Sequence, residues 1–188
     1  MSYLLKKIAL ALLLLPILSI LNYGNSPVSA QPKKLAFQSL CGTGACLRFV
    51  RTPELGVNQI GNPLYTLELY MNGKPINSLT AVSGRVNTQN RDRNRSGTHA
   101  PLPDGVYSVS NYLTNGMIPE VGGKFMPITP RFSTGRSALG IHYDPSFNKN
   151  NGEDGTSGCI ALVTKADRDL VYNFVLTYKP KTLVVEIQ

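Results

Sequence analysis

The sequence contains few residues that bind metal ions and no sign of repetition. Only two histidines occur among 188 residues, and two of the three cysteines stand in a lone C-x4-C spacing. These are too few ligands for a metal site, so none is expected. No internal repeat, low-complexity tract or second domain is visible either, which favours one domain with its own core.

The N-terminus has the pattern of a secretory signal peptide. Two lysines at positions 6–7 precede an apolar run over residues 8–21, and a small-x-small pattern ends at Ala30. The run is shorter than the roughly 20 residues of a spanning helix, and Pro16 interrupts it. We therefore expect a cleaved signal peptide at residues 1–30 rather than a membrane anchor. The protein would then be exported, to the periplasm or to the cell wall and beyond, without a stable membrane span after cleavage.

Acidic side chains are scarce: 11 stand against 19 basic ones, for a net charge of +8. Basic and aromatic residues are not interleaved, and nucleic acid is a poor partner for an exported chain, so no nucleic-acid binding is expected. A basic exported protein suits anionic surroundings such as a cell-wall polymer or lipid head groups. Solubility alone is the other explanation of the charge.

The three cysteines divide into a close pair and a single residue. Cys41 and Cys46 flank a short glycine-containing loop, and export would place them where a disulfide persists. We assign residues 31–46 to an N-terminal lead-in with this possible disulfide, and residues 47–188 to the main domain. Cys159 is then left unpaired, as a reactive thiol or as a small buried apolar side chain.

Frequent turn residues, 17 glycines and 13 prolines, predict short strands joined by turns. One helix is predicted, beginning after Thr164, with Asp167 in its first turn and apolar residues at helical spacing up to Val175. The fold class is therefore mostly β, a β-rich α+β domain with one or two short helices. The predicted strands, the first two joined by a hairpin turn at Asn72-Gly73, cover residues 64–70, 76–82, 106–112, 138–142 and 181–187.

A long irregular segment, residues 87–103, contains the run R-D-R-N-R-S-G-T-H. Arg91, Arg93 and Arg95 are expected on a mobile loop. They form either a solvated polar surface or a basic rim that grips carboxylates or phosphates of a polymer. His99, at the end of the run, either lines a cleft or is an exposed loop residue without a role.

The sequence around Cys159 has the features that thiol acyl transfer requires. His142, predicted at the end of a strand, stands 17 residues before Cys159, which follows Gly158 in T-S-G-C-I. An imidazole can take the thiol proton, and the backbone N–H groups of Gly158 and Cys159 can hold an oxyanion. The second ring nitrogen of the histidine needs an acceptor, for which the candidates are a backbone carbonyl near Tyr143 and the side chain of Asp144.

These residues resemble the L,D-transpeptidase (YkuD-like) catalytic domain. The signature of that family is a His, about fifteen residues, and Ser/Thr-His-Gly-Cys followed by a hydrophobic residue and Asn or Arg; here it is matched by G-I-H at His142 and T-S-G-C-I at Cys159. The upstream run L-Y-M-N-G-K-P-I-N-S-L-T-A-V-S-G resembles the family's early strand pair, and P-L-P-D-G-V-Y-S-V resembles its Thr-Pro-x-Gly-x-Tyr segment. The closing helix and strand also match, so the resemblance covers about residues 64–188.

The resemblance implies a β-sandwich or barrel enzyme, without cofactor, that acts on peptidoglycan stem peptides. Cys159 would attack the carbonyl of the third stem residue, expel the terminal D-alanine and pass the acyl group from a thioester to an amine. His142 would be its base, and Gly158 with the N–H of Ser157 would help to hold the oxyanion. Independently of the resemblance, Tyr143 next to His142 either forms a wall of the site or only packs.

Two residues depart from the family pattern. Ser157 stands where the family usually has a histidine, and Ala161 stands where it usually has Asn or Arg. Two other functions therefore stay open. One is an L,D-carboxypeptidase or endopeptidase, in which water accepts the acyl group. The other is a non-catalytic wall-binding module whose site has decayed.

Overall fold

The structure, a computed structural model, describes residues 37–188. The predicted signal peptide and the first part of the lead-in, residues 31–36, lie outside the described residues. The strands are β1 (Ala45–Arg51), β2 (Tyr65–Met71), β3 (Lys74–Val82), β4 (Gly105–Val109), β5 (Thr114–Asn115), β6 (Lys124–Pro130), β7 (Gly140–Tyr143), β8 (Ile160–Leu162) and β9 (Thr182–Glu186). The long helix is α1 (Lys165–Tyr178), and residues 37–41 form a short helical segment.

Eight of the strands close into a barrel. They run in the order β4-β9-β1-β2-β3-β8-β7-β6, and β6 pairs back onto β4, while β5 is an extra strand beside β6. The pairs β1–β9 and β7–β8 are parallel, and the others are antiparallel. The predicted fold class, mostly β with few helices, is confirmed. Closure removes exposed sheet edges and places residues distant in sequence on neighbouring strands.

The predicted hairpin and helix are confirmed, because local chemistry determines both. Asn72 and Gly73 have φ of 52° and 74°, the left-handed values that a tight two-residue turn between β2 and β3 needs. At the start of α1, the Thr164 hydroxyl accepts a hydrogen bond from the Asp167 N–H at 3.0 Å. The helix then packs against β7 and β8, where the Tyr172 hydroxyl donates to the Ile141 carbonyl at 2.8 Å.

Other strands differ from the prediction made from the sequence, either in their bounds or because no strand was predicted there. β1 begins at Ala45, within the predicted lead-in, and β6 contains two prolines, which lack the N–H that a strand interior normally donates. β4 ends at Val109, three residues before its predicted end. β7 begins two residues later than predicted, because Ala138 has a φ of 53° and is not extended.

The core fills the barrel with alternating residues of the strands. Ile141 of β7 and Ile160 and Leu162 of β8 are completely buried in it. A second cluster packs the lead-in against the sheet and consists of Phe37, Cys41, Cys46, Tyr70 and Val184. Cys41 and Cys46 are bonded to each other there, with Cα atoms 5.4 Å apart, and Cys159 is the free cysteine. Over residues 37–188 no helix combines the length and apolar character needed to cross a membrane.

Candidate active site

The parallel pair β7–β8 brings His142 and Cys159 together. His142 is paired with Ala161, and Cys159 lies two residues before Ala161. Because side chains alternate along a strand, His142 and Cys159 project from the same face, opposite to the core residues Ile141 and Ile160. Residues 17 positions apart in sequence thus become neighbours on one surface of the sheet.

The His142 ring is held in one orientation with one nitrogen free. Its Nδ1 lies 2.9 Å from the Tyr143 carbonyl oxygen, which can only accept, so Nδ1 carries the proton. Nε2 is therefore the basic nitrogen, and it is buried without a hydrogen-bond partner. The ring stacks on Phe125, with centroids 6.2 Å apart. A fully buried, oriented imidazole with an unpartnered basic nitrogen is suited to accept a proton.

Asp144, the other candidate for orienting His142, has a different role. Its carboxylate accepts hydrogen bonds from the N–H groups of Ser146 at 2.8 Å and Gly155 at 2.9 Å. It thereby ties together the loop that connects His142 to Cys159. Burial raises the pKa of Asp144 to about 6, and the two N–H groups oppose that shift.

Both reacting groups are neutral at rest. Burial lowers the pKa of His142, and burial raises the pKa of the Cys159 thiol to about 12, with the Gly140 N–H and Arg136 opposing and the Glu120 charge reinforcing the rise. Cys159 is 7% exposed, and its thiol lies 3.8 Å from the Ala138 carbonyl oxygen. The site therefore holds a thiol and an imidazole that are both neutral, so an attack by this thiol would require a proton transfer.

The turn before Cys159 is organised by Thr156. Its hydroxyl donates to the Cys159 carbonyl at 2.9 Å and accepts from the Gly158 N–H at 3.1 Å. The Ser157 N–H donates to a Glu120 carboxylate oxygen at 2.7 Å. The N–H groups of Ser157 and Gly158, both expected to hold an oxyanion, are thus engaged within the protein, and an oxyanion would have to displace these contacts.

Arg136 packs against this turn and was not identified from the sequence. Its guanidinium donates to the Ser157 carbonyl, and at 3.4 Å to the Ala100 carbonyl. Further donations, to the carbonyls of Arg93 and Arg95 and the hydroxyl of Thr98, fix the 93–100 segment against the turn. Burial lowers the pKa of Arg136, and the nearby Cys159 opposes the shift. A cation held by carbonyl oxygens beside the thiol favours negative charge there.

A cavity of about 230 Å³ opens at the thiol. Its residues include Cys159, apolar Ile118 and Phe125, and polar His99, Glu120, Arg136 and Ser157. This mixture of apolar walls and a few converging polar groups is typical of small-molecule and peptide sites. A larger cavity of about 430 Å³ near Arg51, Arg91 and Arg93 does not include the thiol, so its size alone does not make it the reactive site.

Only one of the other predicted substrate-binding residues lies at the cavity that contains the thiol. His99 lines the cavity at Cys159, whereas Arg91, Arg93, Arg95 and Tyr143 do not. Arg93 forms an ion pair with Asp104 at 2.7 Å, and Arg91 bonds the Thr98 carbonyl at 3.4 Å. Arg95 is exposed, so it and Arg91 are available to a polymer passing outside the cavity. Tyr143 acts through its carbonyl on His142.

Sequence reasoning also missed Glu120. This residue enters the site from a short 3-10 turn, Pro119–Val121, and accepts hydrogen bonds from the N–H and hydroxyl of Ser157. No local pattern marks it, because its partners are 37 positions away. In the part of the chain that the structure describes, no group of three or more His, Cys, Asp or Glu side chains is arranged to hold a metal ion.

A closed eight-stranded barrel, with an oriented imidazole on β7 and a thiol immediately before the parallel strand β8, defines the class of this protein: a β-barrel domain with a cysteine–histidine site. The family model of the L,D-transpeptidase catalytic domain, YkuD, matches residues 59–186. Since this match spans more than half of the chain, the protein belongs to that family, whose members act on peptidoglycan. No curated protein matches the chain.

The assigned state of His142 predicts a specific NMR signature. In a long-range ¹H–¹⁵N spectrum at pH 7, His142 should show a protonated Nδ1 and an unprotonated Nε2, because Nδ1 donates to the Tyr143 carbonyl. Since burial lowers the pKa of His142 below 6.5, the pattern should persist on acidification to that pH. With only two histidines in the chain, a His99→Asn variant assigns the signals. An imidazolium signal from His142 at pH 7 would contradict this assignment.

Proposed function

We propose that this protein is an exported cysteine acyltransferase that acts on peptidoglycan stem peptides as an L,D-transpeptidase. The observation that carries the proposal is the buried, unpartnered Nε2 of His142, on the face of β7–β8 that also bears the free thiol of Cys159. Family membership supports the substrate class. Export is supported by the signal-peptide pattern of residues 1–30 and by the disulfide of Cys41 and Cys46.

In the proposed reaction, the Cys159 sulfur attacks the carbonyl carbon of the third stem residue while its proton passes to His142 Nε2. The C–N bond to the terminal D-alanine then breaks, and the imidazolium returns the proton to the leaving amine. The product is a thioester on Cys159 with neutral His142. An acceptor amine attacks this thioester, a new amide forms as the C–S bond breaks, and the proton lost by the amine reaches the sulfur and restores the thiol. The buried pair starts and ends neutral, in agreement with the directions of its pKa shifts.

The acceptor distinguishes the proposed transpeptidase from a hydrolase. Ser157 and Ala161 replace family residues next to the nucleophile, and water in place of the amine would make the protein an L,D-carboxypeptidase. The matched family model describes a transpeptidase catalytic domain, which supports transfer to an amine. We therefore favour the amine.

Product analysis tests the proposal. The protein from Gln31 to Gln188 is incubated with disaccharide-tetrapeptides beside a Cys159→Ala control, and the products are identified by mass spectrometry. We expect a cross-linked dimer that has lost one D-alanine, formed only by the unmutated protein. Release of D-alanine without a dimer would assign the hydrolase. If neither product forms with stem peptides that differ at the third residue, the wall-binding module without catalysis becomes the better description.

A further inference from the structure

A second imidazole stands at the cavity, in a hydrogen-bonded chain that the reaction above does not use. His99 Nδ1 lies 2.7 Å from the Ser157 hydroxyl, which donates to a Glu120 carboxylate oxygen at 2.8 Å. The other Glu120 oxygen accepts the Ser157 N–H at 2.7 Å. Ser157 is thus clamped at two atoms by one carboxylate, and it links that carboxylate to the ring of His99.

This chain determines which nitrogen of His99 is free. The Ser157 hydroxyl has one proton, and that proton is donated to Glu120. The hydroxyl oxygen must therefore accept from His99, so Nδ1 carries the proton and Nε2 is the basic nitrogen. Glu120 and Ser157 thereby hold the His99 ring in this orientation.

The backbone of His99 is held in a costly conformation. Its φ is 53°, in the left-handed region that non-glycine residues seldom occupy. Its carbonyl accepts hydrogen bonds from the Thr88 hydroxyl and, at 3.3 Å, from the Arg85 N–H. Such strain persists only where surrounding contacts enforce it, and it concentrates at functional sites.

The two imidazoles differ in their access to solvent. His142 is completely buried, whereas His99 is partly exposed and lines the same cavity as Cys159. An acceptor has to enter through this cavity after the first product has left. On entry it meets His99, whereas His142 does not line this cavity.

We propose that His99 is a second catalytic base of this site, dedicated to the acceptor, and that Ser157 and Glu120 are its positioning residues. This inference rests on the proposed function and assigns its two half-reactions to different bases. His142 serves the formation of the thioester, and His99 serves its transfer.

In the transfer step, the acceptor nitrogen attacks the thioester carbon as its proton moves to His99 Nε2. The C–S bond then breaks with its electron pair on the Cys159 sulfur. The proton held by His99 neutralises the resulting thiolate, so that the thiol and both imidazoles return to their starting states. No oxidant, metal ion or further reactant is required.

The test separates the two half-reactions by intact-protein mass spectrometry with a disaccharide-tetrapeptide. His99→Asn is the central variant, because asparagine tolerates the left-handed backbone and removes the base. We expect the thioester to form at a rate within about threefold of the unmutated protein, and its transfer to an added amine to slow by about a hundredfold. His142→Asn is the matched control and should lose thioester formation instead.

Two further measurements distinguish catalysis by His99 from a merely structural contribution. Free imidazole should restore transfer in the His99→Asn variant, since it replaces the missing base. Ser157→Ala should slow transfer by about tenfold, through loss of the contact that orients His99. Transfer at the unmutated rate in His99→Asn, or an equal loss of both half-reactions without imidazole rescue, overturns the inference. Absence of any thioester on the unmutated protein would instead overturn the proposed function itself.

Discussion

Replacement of Cys159 by alanine is expected to abolish formation of the thioester and of every product, because no other thiol is free in this protein. His142→Ala is expected to slow thioester formation by about a hundredfold or more, since its Nε2 takes the thiol proton. Rapid mixing with the tetrapeptide substrate, followed by intact-mass analysis, measures both effects. Thermal unfolding of each variant serves as the control for folding. Full activity of Cys159→Ala would remove the basis of the proposed mechanism.

The pH dependence of thioester formation follows from the same two groups. Activity requires neutral His142, and burial lowers the pKa of this imidazole below 6.5. The midpoint of the acidic decline in rate should therefore lie below pH 6.5. On the alkaline side, the thiol has a pKa of about 12, so no loss of the protonated pair is expected between pH 7 and 9. An acidic decline with its midpoint at or above pH 6.5 would show that His142 is not a buried neutral base.

Gly158→Ala is expected to have the largest effect on the structure of the site. Gly158 has a φ of 109°, and an added Cβ would lie 1.6 Å from Nη2 of Arg136 and 3.0 Å from the Ala100 carbonyl oxygen. The guanidinium cannot withdraw without giving up the hydrogen bonds that join the 93–100 segment to the turn. We expect a loss of about 3 kcal/mol or more in the free energy of unfolding, together with loss of activity.

Gly152→Ala supplies the matched control. Gly152 lies in the same loop with a φ of 78°, but an added Cβ would meet no atom within 4 Å. Only the backbone cost of about 1 kcal/mol is expected there. Chemical denaturation measures both variants. Equal destabilisation by the two substitutions would mean that contact with Arg136 does not constrain the turn.

The candidate pair, Cys159 and His142, could be proposed from the sequence because short-range patterns mark both residues. A strand that ends near His142, a glycine-containing turn before Cys159 and a polar loop between them all depend on neighbouring residues. The hairpin at Asn72-Gly73 and the helix cap at Thr164 are predictable for the same reason. The serine at position 157, where the family usually has a histidine, was also visible in the sequence. Its hydrogen bonds to His99 and Glu120 were not.

The sequence by itself thus predicted the class of fold, which the structure confirms, and named Cys159 and His142 as the candidate nucleophile and base. Tertiary structure alone decided what surrounds them. It brings His99 to Ser157 across 58 positions and Glu120 to Ser157 across 37. It also places Arg136 behind the turn and engages the N–H groups expected to hold an oxyanion. Such contacts join loops that meet only when the barrel closes, and no local propensity encodes them.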